Sequence, residues 1–311
     1  MMRSRDIARR HSLQQGRQEM KMLTRIAATG VSLVLLAPQV LEAQIDTSTD
    51  EGQVAQVLRE VRLANAADDI DGVLQHYWND PGLTVIDPDD GFKIHGWAEY
   101  QQYLQDMRTV SRTLLWRTRH RKLHLSGNNA FATFHVTRHV QFGSTVFKKQ
   151  ERGTYVLRKM DGTWLVVAQH ISALPPMLKF QQTAEKQGRE AATDSTSSFD
   201  IDAYFDTMVD DVSVYDPASP WVYEKDIWRT RVEQMMNIRQ FLDLNQFNRT
   251  EVEWDDMRIV TVDREIRRPE GSFTERNHGR ITWVYLKQPD GEWFLWHDHT
   301  SEIPEDFSYQ R

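Results

Sequence analysis

The sequence contains the same signature twice. Asp161-Gly162-Thr163-Trp164 leads to His170-Ile171-Ser172-Ala173-Leu174-Pro175, and Asp290-Gly291-Glu292-Trp293 leads to His299-Thr300-Ser301-Glu302-Ile303-Pro304. Every matched position lies 129 residues from its counterpart. Ile86-Asp87-Pro88 and Tyr215-Asp216-Pro217 keep the same offset. A spacing held over so long a stretch implies tandem duplication of one domain. The first copy is expected over 44–175 and the second over 176–311, with the junction near Pro175-Pro176.

The 43 residues before the repeats read as a leader. Lys21 and Arg25 precede the apolar run Ile26–Ala37, which is followed by Pro38 and Ala43. That is a signal-peptide pattern with cleavage expected between Ala43 and Gln44, so a secreted or periplasmic protein. Met20-Lys21-Met22 makes a more usual start, leaving 1–19 as an over-called start of translation. The run is shorter than the roughly 20 apolar residues of a membrane span. With no cysteine in the chain, disulfides and thiolate chemistry are excluded. Without the leader the chain carries 31 basic and 42 acidic residues, a net charge of −11. That charge argues against a nucleic-acid partner.

Hydrophobic periodicity gives each copy helices first and strands after. In the first copy, Val54–Leu63 and Ile70–Trp78 have helical spacing. Leu83–Ile86 is a short strand closed by Asp87-Pro88-Asp89-Asp90-Gly91, and Trp97–Val110 is a third helix. Leu114–Leu125, Ala130–Phe142, Thr145–Lys159 and Thr163–Ile171 are strands separated by turn residues, which predicts an antiparallel meander. The second copy repeats the order, with helices over Met177–Ala192, Ile201–Val209 and Ile227–Leu242 and a strand over Val212–Tyr215. Four strands follow: Thr250–Asp256, Arg258–Arg267, Ser272–Leu286 and Glu292–Thr300.

Helices, a short strand ending in Asp-Pro, and a meander ending Asp-Gly-x-Trp…His-x-Ser-x-x-Pro resemble the SnoaL-like branch of the nuclear transport factor 2-like superfamily. The resemblance implies an α+β fold of two tandem cone-shaped domains, each with three helices packed in a strongly curved antiparallel sheet. It also implies a pocket at the wide end of the cone. Members pair through their sheets, so an intramolecular pseudo-dimer or a homo-oligomer is expected. The superfamily includes isomerases, cyclases, dehydratases and non-catalytic assembly domains, so fold does not fix function.

Candidate chemistry centres on the first copy. Asp87 could act as a base at the mouth of the cone, although Asp before Pro is also a common turn former. His135 and His139 alternate with Thr133 and Thr137 along one face of a strand, while Ala132, Phe134, Val136 and Val140 line the other. The apolar face is expected against the helices or the second domain, and the polar face in solvent or on the pocket wall. His170 and His299 suit proton transfer near neutral pH, or serve structurally. Tyr77 and Tyr100, with Tyr103, are phenol donors or core aromatics, and Trp116 and Asp216 complete the ligand-facing candidates. His297-Asp298-His299 places two imidazoles on one face, but no third ligand is evident and Ala168 replaces His297 in the first copy, so no metal is expected. There is no Gly-rich phosphate loop, Gly-x-Ser-x-Gly or His-Glu-x-x-His, and no cofactor is expected.

Two readings follow. One is a protein with a hydrophobic pocket that binds a small apolar molecule or serves in assembly. The other is a cofactor-free acid/base enzyme, isomerase-like, acting on a small carbonyl compound in the first domain.

Overall fold

The computed structural model describes residues 45–89, 93–174, 200–236, 243–270 and 273–303. The leader, the junction at Pro175-Pro176 and the Met177–Ala192 helix lie outside these residues. In the first repeat, α1 (Asp50–Ala66) and α2 (Ile70–Leu74) precede β1 (Thr84–Ile86) and β2 (Lys93–His95). Then come α3 (Trp97–Val110), β3 (Ser111–Ser126), β4 (Asn129–Phe142), β5 (Thr145–Met160) and β6 (Thr163–Ala173). The second repeat has α4 (Ile201–Asp206), β7 (Met208–Tyr215), β8 (Val222–Glu224) and α5 (Lys225–Met236). Its sheet continues through β9 (Asp243–Glu253), β10 (Met257–Glu270), β11 (Phe273–Lys287) and β12 (Trp293–Glu302).

Helix starts follow local capping chemistry. Thr49 accepts from Gly52 N–H at the head of α1, and Asp69 and Asp200 accept from Gly72 and Ala203 at α2 and α4. α3 spans the expected residues and buries Tyr100 and Leu104. β7 begins at Met208, so the helix expected over Ile201–Val209 ends early at Asp206.

Each repeat builds one six-stranded sheet, in the orders β2-β1-β6-β5-β4-β3 and β8-β7-β12-β11-β10-β9. The sheets are mixed rather than wholly antiparallel. β1 runs parallel to β6, with Ile86 opposite His170, and β7 runs parallel to β12, with Tyr215 opposite His299. That pairing brings the Asp-Pro turn and the His-x-Ser motif of each copy side by side.

The sheet of the first domain is covered on both faces. One face packs on its own helices, with Ala132, Phe134, Val136, Tyr155, Leu157 and Trp164 against Val54, Leu58 and Val61. The other meets the second sheet, where Phe131, Val156, Val167 and Ala168 pack with Met257, Ile259, Val284 and Trp296. The polar face of β4 lies on the side of the second domain, where Phe131 and Thr133 are buried while His135, Thr137 and His139 remain half-exposed. Phe131 stacks on His297 at 4.7 Å between ring centroids, and His135 Nε2 lies 2.9 Å from the Pro220 carbonyl oxygen.

Candidate functional site

Inside the first cone, α3, β3, β4 and the turn after β1 surround a small cavity. Asp87, Asp89, Tyr100, Tyr103, Trp116 and Arg138 are among its lining residues. Its volume is about 40 Å³, against the roughly 10–15 Å³ that one water requires. It accommodates a few waters or the reacting end of a small molecule.

The cavity is organised around a buried cation. Arg138 donates from Nε and Nη2 to the two oxygens of Glu151, each at 2.6 Å, and from Nη2 to Asp89 at 3.1 Å. Its guanidinium lies 5.2 Å from the centroid of the Trp116 ring. Lys149 forms a second ion pair with Asp89. Arg138 also lies 4.0 Å from Asp87 Oδ1. Two cations thus face three carboxyl groups, and one proton retained among them brings the cluster to neutrality. Asp87 is suited to hold it: burial pushes its carboxyl above the usual range, and Arg138 only partly offsets this. Glu151 is raised by burial as well, against the pull of Arg138. Tyr103 hydrogen-bonds to Asp87, and burial next to these carboxyls drives the phenol well above its ordinary pKa, keeping it a proton donor.

Asp87 also makes the turn. Its Oδ1 accepts from Asp89 N–H at 2.9 Å, as Asp216 Oδ1 accepts from Ala218 N–H at 2.7 Å. The repeated Asp-Pro therefore has a local role in both copies. Asp216 is approached by Arg231 Nε at 3.4 Å. At the rungs that match Arg138 and Glu151, the second sheet carries Ile266 and Gly279.

Of the residues expected at a site, Asp87, Tyr100 and Trp116 meet at the cavity. Tyr77 lies in the core, where its hydroxyl donates to Gln169. His135 and His139 project from the opposite face of β4, and His135 sits 5.6 Å from the exposed Trp221 ring of the second domain. His170 lies on the domain interface, so the expected pairing of Asp87 with one of these histidines does not form. Arg138, Asp89 and Glu151 were not anticipated. Their signal was the charged Arg138 in phase with Phe134, Val136 and Val140.

His170 and His299 stack in parallel across the interface, with centroids 3.7 Å apart and planes 6° apart. His170 Nδ1 lies 3.0 Å from Thr282 Oγ1 and its Nε2 lies 2.9 Å from Ser301 Oγ. His299 mirrors this with Thr154 and Ser172, both at 2.9 Å. His297 bonds Ser213 at 2.6 Å and Thr154 at 2.8 Å. All six imidazole nitrogens thus meet hydroxyl groups. Burial, with Arg152 and Arg280 nearby, holds His170 and His299 well below their ordinary pKa, while burial takes His297 down to about 3.

Two six-stranded mixed sheets, each wrapped on short helices, define a tandem α+β protein of the nuclear transport factor 2-like class. The chain belongs to the SnoaL-like domain family, whose model matches it twice, over residues 54–177 and 189–306. Solved structures to which the chain is similar include an NTF2-like protein of unknown function from Pseudomonas putida, 20% identical, covering 43% of this chain and 92% of its own at a TM-score of 0.36. A ketosteroid isomerase-like protein from Erwinia carotovora is 16% identical, with 41% of this chain and 100% of that one covered at 0.36. An NTF2-like protein from Novosphingobium aromaticivorans is 11% identical, covering 40% and 82% at 0.34. No curated protein sequence matches the chain.

Proposed function

We propose that the first domain is a cofactor-free acid/base site for a small neutral carbonyl compound, and that the second domain is its structural partner. The observation carrying this is Asp87, a buried carboxyl of raised pKa that faces a cavity beside the Tyr103 phenol and Arg138. In its ionised form this carboxyl can accept a proton from a carbon next to a carbonyl, and a phenol that stays protonated can donate to the oxygen where charge develops. The cluster is neutral with one proton retained and carries one negative charge in its basic form, and both states favour a neutral substrate over an anion. The cavity volume restricts the buried part of the substrate to a few atoms.

The test is α-proton exchange into D₂O for a panel of small ketones, followed by NMR, with wild type and Asp87→Asn. Removing a general base is expected to slow exchange by about 10²–10⁴-fold. The rate should rise with pH through a midpoint above the ordinary carboxylate range, because the ionised form is the base. If no ketone exchanges faster with wild type than with Asp87→Asn, the reading fails. We also infer export from the leader-like sequence. N-terminal sequencing of protein recovered outside the cytoplasm should begin at Gln44, and an intact leader there would contradict it.

A further inference from the structure

The turn that carries Asp87 is held from the other domain. Arg280, on β11 of the second repeat, donates from Nη1 to the Asp87 carbonyl oxygen at 3.2 Å. The contact has a mirror image: Arg152 on β5 donates to the Asp216 carbonyl at 2.8 Å, and also to those of Ser219 and Thr300. Both arginines are 1% exposed. Each arginine lies opposite the Ser of its own His-x-Ser motif, Arg152 with Ser172 and Arg280 with Ser301. The two domains therefore exchange arginines, each gripping the backbone of the other's Asp-Pro turn. The exchange is equal in form but unequal in consequence. Arg280 grips a turn whose side chain enters the charged cavity, whereas Arg152 grips one whose Asp216 faces Arg231.

We infer that Arg280 is a positioning residue for Asp87, so that the first-domain site is completed by the second domain. The inference rests on reading Asp87 as the proton-transfer group. Asp87 sits at the end of β1, in a turn that its own domain holds through the local Oδ1 cap to Asp89 and, on the side-chain face, through Tyr103, Arg138 and Lys149. A charged donor fixed on a rigid strand adds a hold from outside, and a hydrogen bond to a charged group is stronger than a neutral one. Held in this way, the carboxyl remains buried at the small cavity, and that burial is the main source of its raised pKa. Without the anchor the turn can tilt, water can reach the carboxyl, and its pKa should fall towards the ordinary value. An arginine acting on Asp87 only as a nearby positive charge would have the opposite effect, because its removal would raise the pKa.

The experiment uses the full chain with ¹³Cγ-labelled aspartate, the Asp87 signal being assigned by its absence in Asp87→Asn. The Asp87 midpoint is read by NMR titration in wild type, Arg280→Gln, Arg280→Lys and Ser301→Ala. Ser301→Ala removes an interface hydrogen bond to His170 without touching the turn. Arg280→Gln should lower the midpoint by about half a pH unit or more, with Arg280→Lys in between. Ser301→Ala should leave it unmoved even though the protein becomes less stable. An unchanged or raised midpoint in Arg280→Gln overturns the inference, as does an equal fall in Ser301→Ala. If Arg280→Gln does not fold, Arg280→Lys keeps the charge and one donor, and a midpoint unchanged from wild type overturns the inference. Ketone exchange that fails while the midpoint still moves would sink the proposed reaction and leave the positioning role standing.

Discussion

Arg138 sits in the interior phase of β4, where an apolar side chain would otherwise fill the cone, and its cost is met only by its partners. Glu151 takes both ends of the fork and Trp116 covers the guanidinium. Removing one member of a buried pair leaves the other as an uncompensated charge, at a cost of about 3–5 kcal/mol. Arg138→Met or Glu151→Leu alone should lose that much in urea denaturation. The double variant should recover most of the loss, because a well-packed apolar pair of similar volume is close to neutral in stability. Additive losses would show that the two side chains act independently. A second prediction at this scale concerns His297. Its folded pKa of about 3 lies below its ordinary 6.5, so between those values the unfolded chain binds the extra proton. The stability it contributes is complete above pH 6.5 and is lost as pH falls towards 3. Asp298 opposes this, since burial raises its carboxyl to about 6 and the folded state keeps a proton the unfolded state gives up. The histidine is isolated by difference: the advantage of wild type over His297→Gln should shrink as pH drops from 7 to 4, at up to about 1.4 kcal/mol per pH unit. A pH-independent difference would contradict a neutral, buried His297.

At the scale of elements, β5 has one position where only hydrogen fits. A Cβ on Gly153 would lie 2.5 Å from Cε2 of Phe134, its directly opposed neighbour on β4. Phe134 is itself packed against Tyr155, 4.8 Å away between centroids. Gly153→Ala should therefore cost about 1–3 kcal/mol by overpacking. Unchanged thermal stability would mean that the ring relaxes freely. Much of this layer was legible in the sequence. The Tyr100, Tyr103, Leu104, Met107 spacing set α3, and turn residues separated the meander strands. β2 was missed because three residues after a turn carry no measurable alternation. The functional faces were harder to read. Period-2 alternation separates the two faces of β4, but one is buried under helices and the other is covered by the second sheet only around Phe131 and Thr133. Polarity alone therefore ranked His135 and His139 above Arg138. The offset of 129 residues concealed a further layer. It holds at Asp87 and His170, but the ladders pair Thr154 with His170 and Thr282 with His299, so Thr154 and Thr282 are 128 apart. Arg152 and Arg280 share that shorter spacing. Compared at 129, Arg152 faces Ile281 and the exchanged arginines do not appear as a pair.

At the scale of the molecule, the repeated motifs are explained by the joint between the halves. His170 and His299, Ser172 and Ser301, Thr154 and Thr282, and the two Asp-Pro carbonyls all meet across one pseudo-twofold contact. Apolar packing of Phe131, Val156 and Val167 against Met257, Ile259 and Trp296 lies beside it. The described residues from 45 to 303 accordingly form one compact unit. If either half unfolded alone, the other would expose its share of the apolar joint and lose the hydrogen bonds made across it by Arg152 and His170 or by Arg280, His297 and His299. Such a penalty makes a half-folded state scarce. Calorimetry of the chain should therefore give one transition, with a calorimetric enthalpy equal to the van't Hoff value. Residues 45–174 expressed alone should associate or aggregate, since the face formed by Phe131, Val156 and Val167 would be uncovered. Two resolved transitions, or a first half that remains a folded monomer, would show that the domains are independent and that the shared motifs are inherited without being used as the joint.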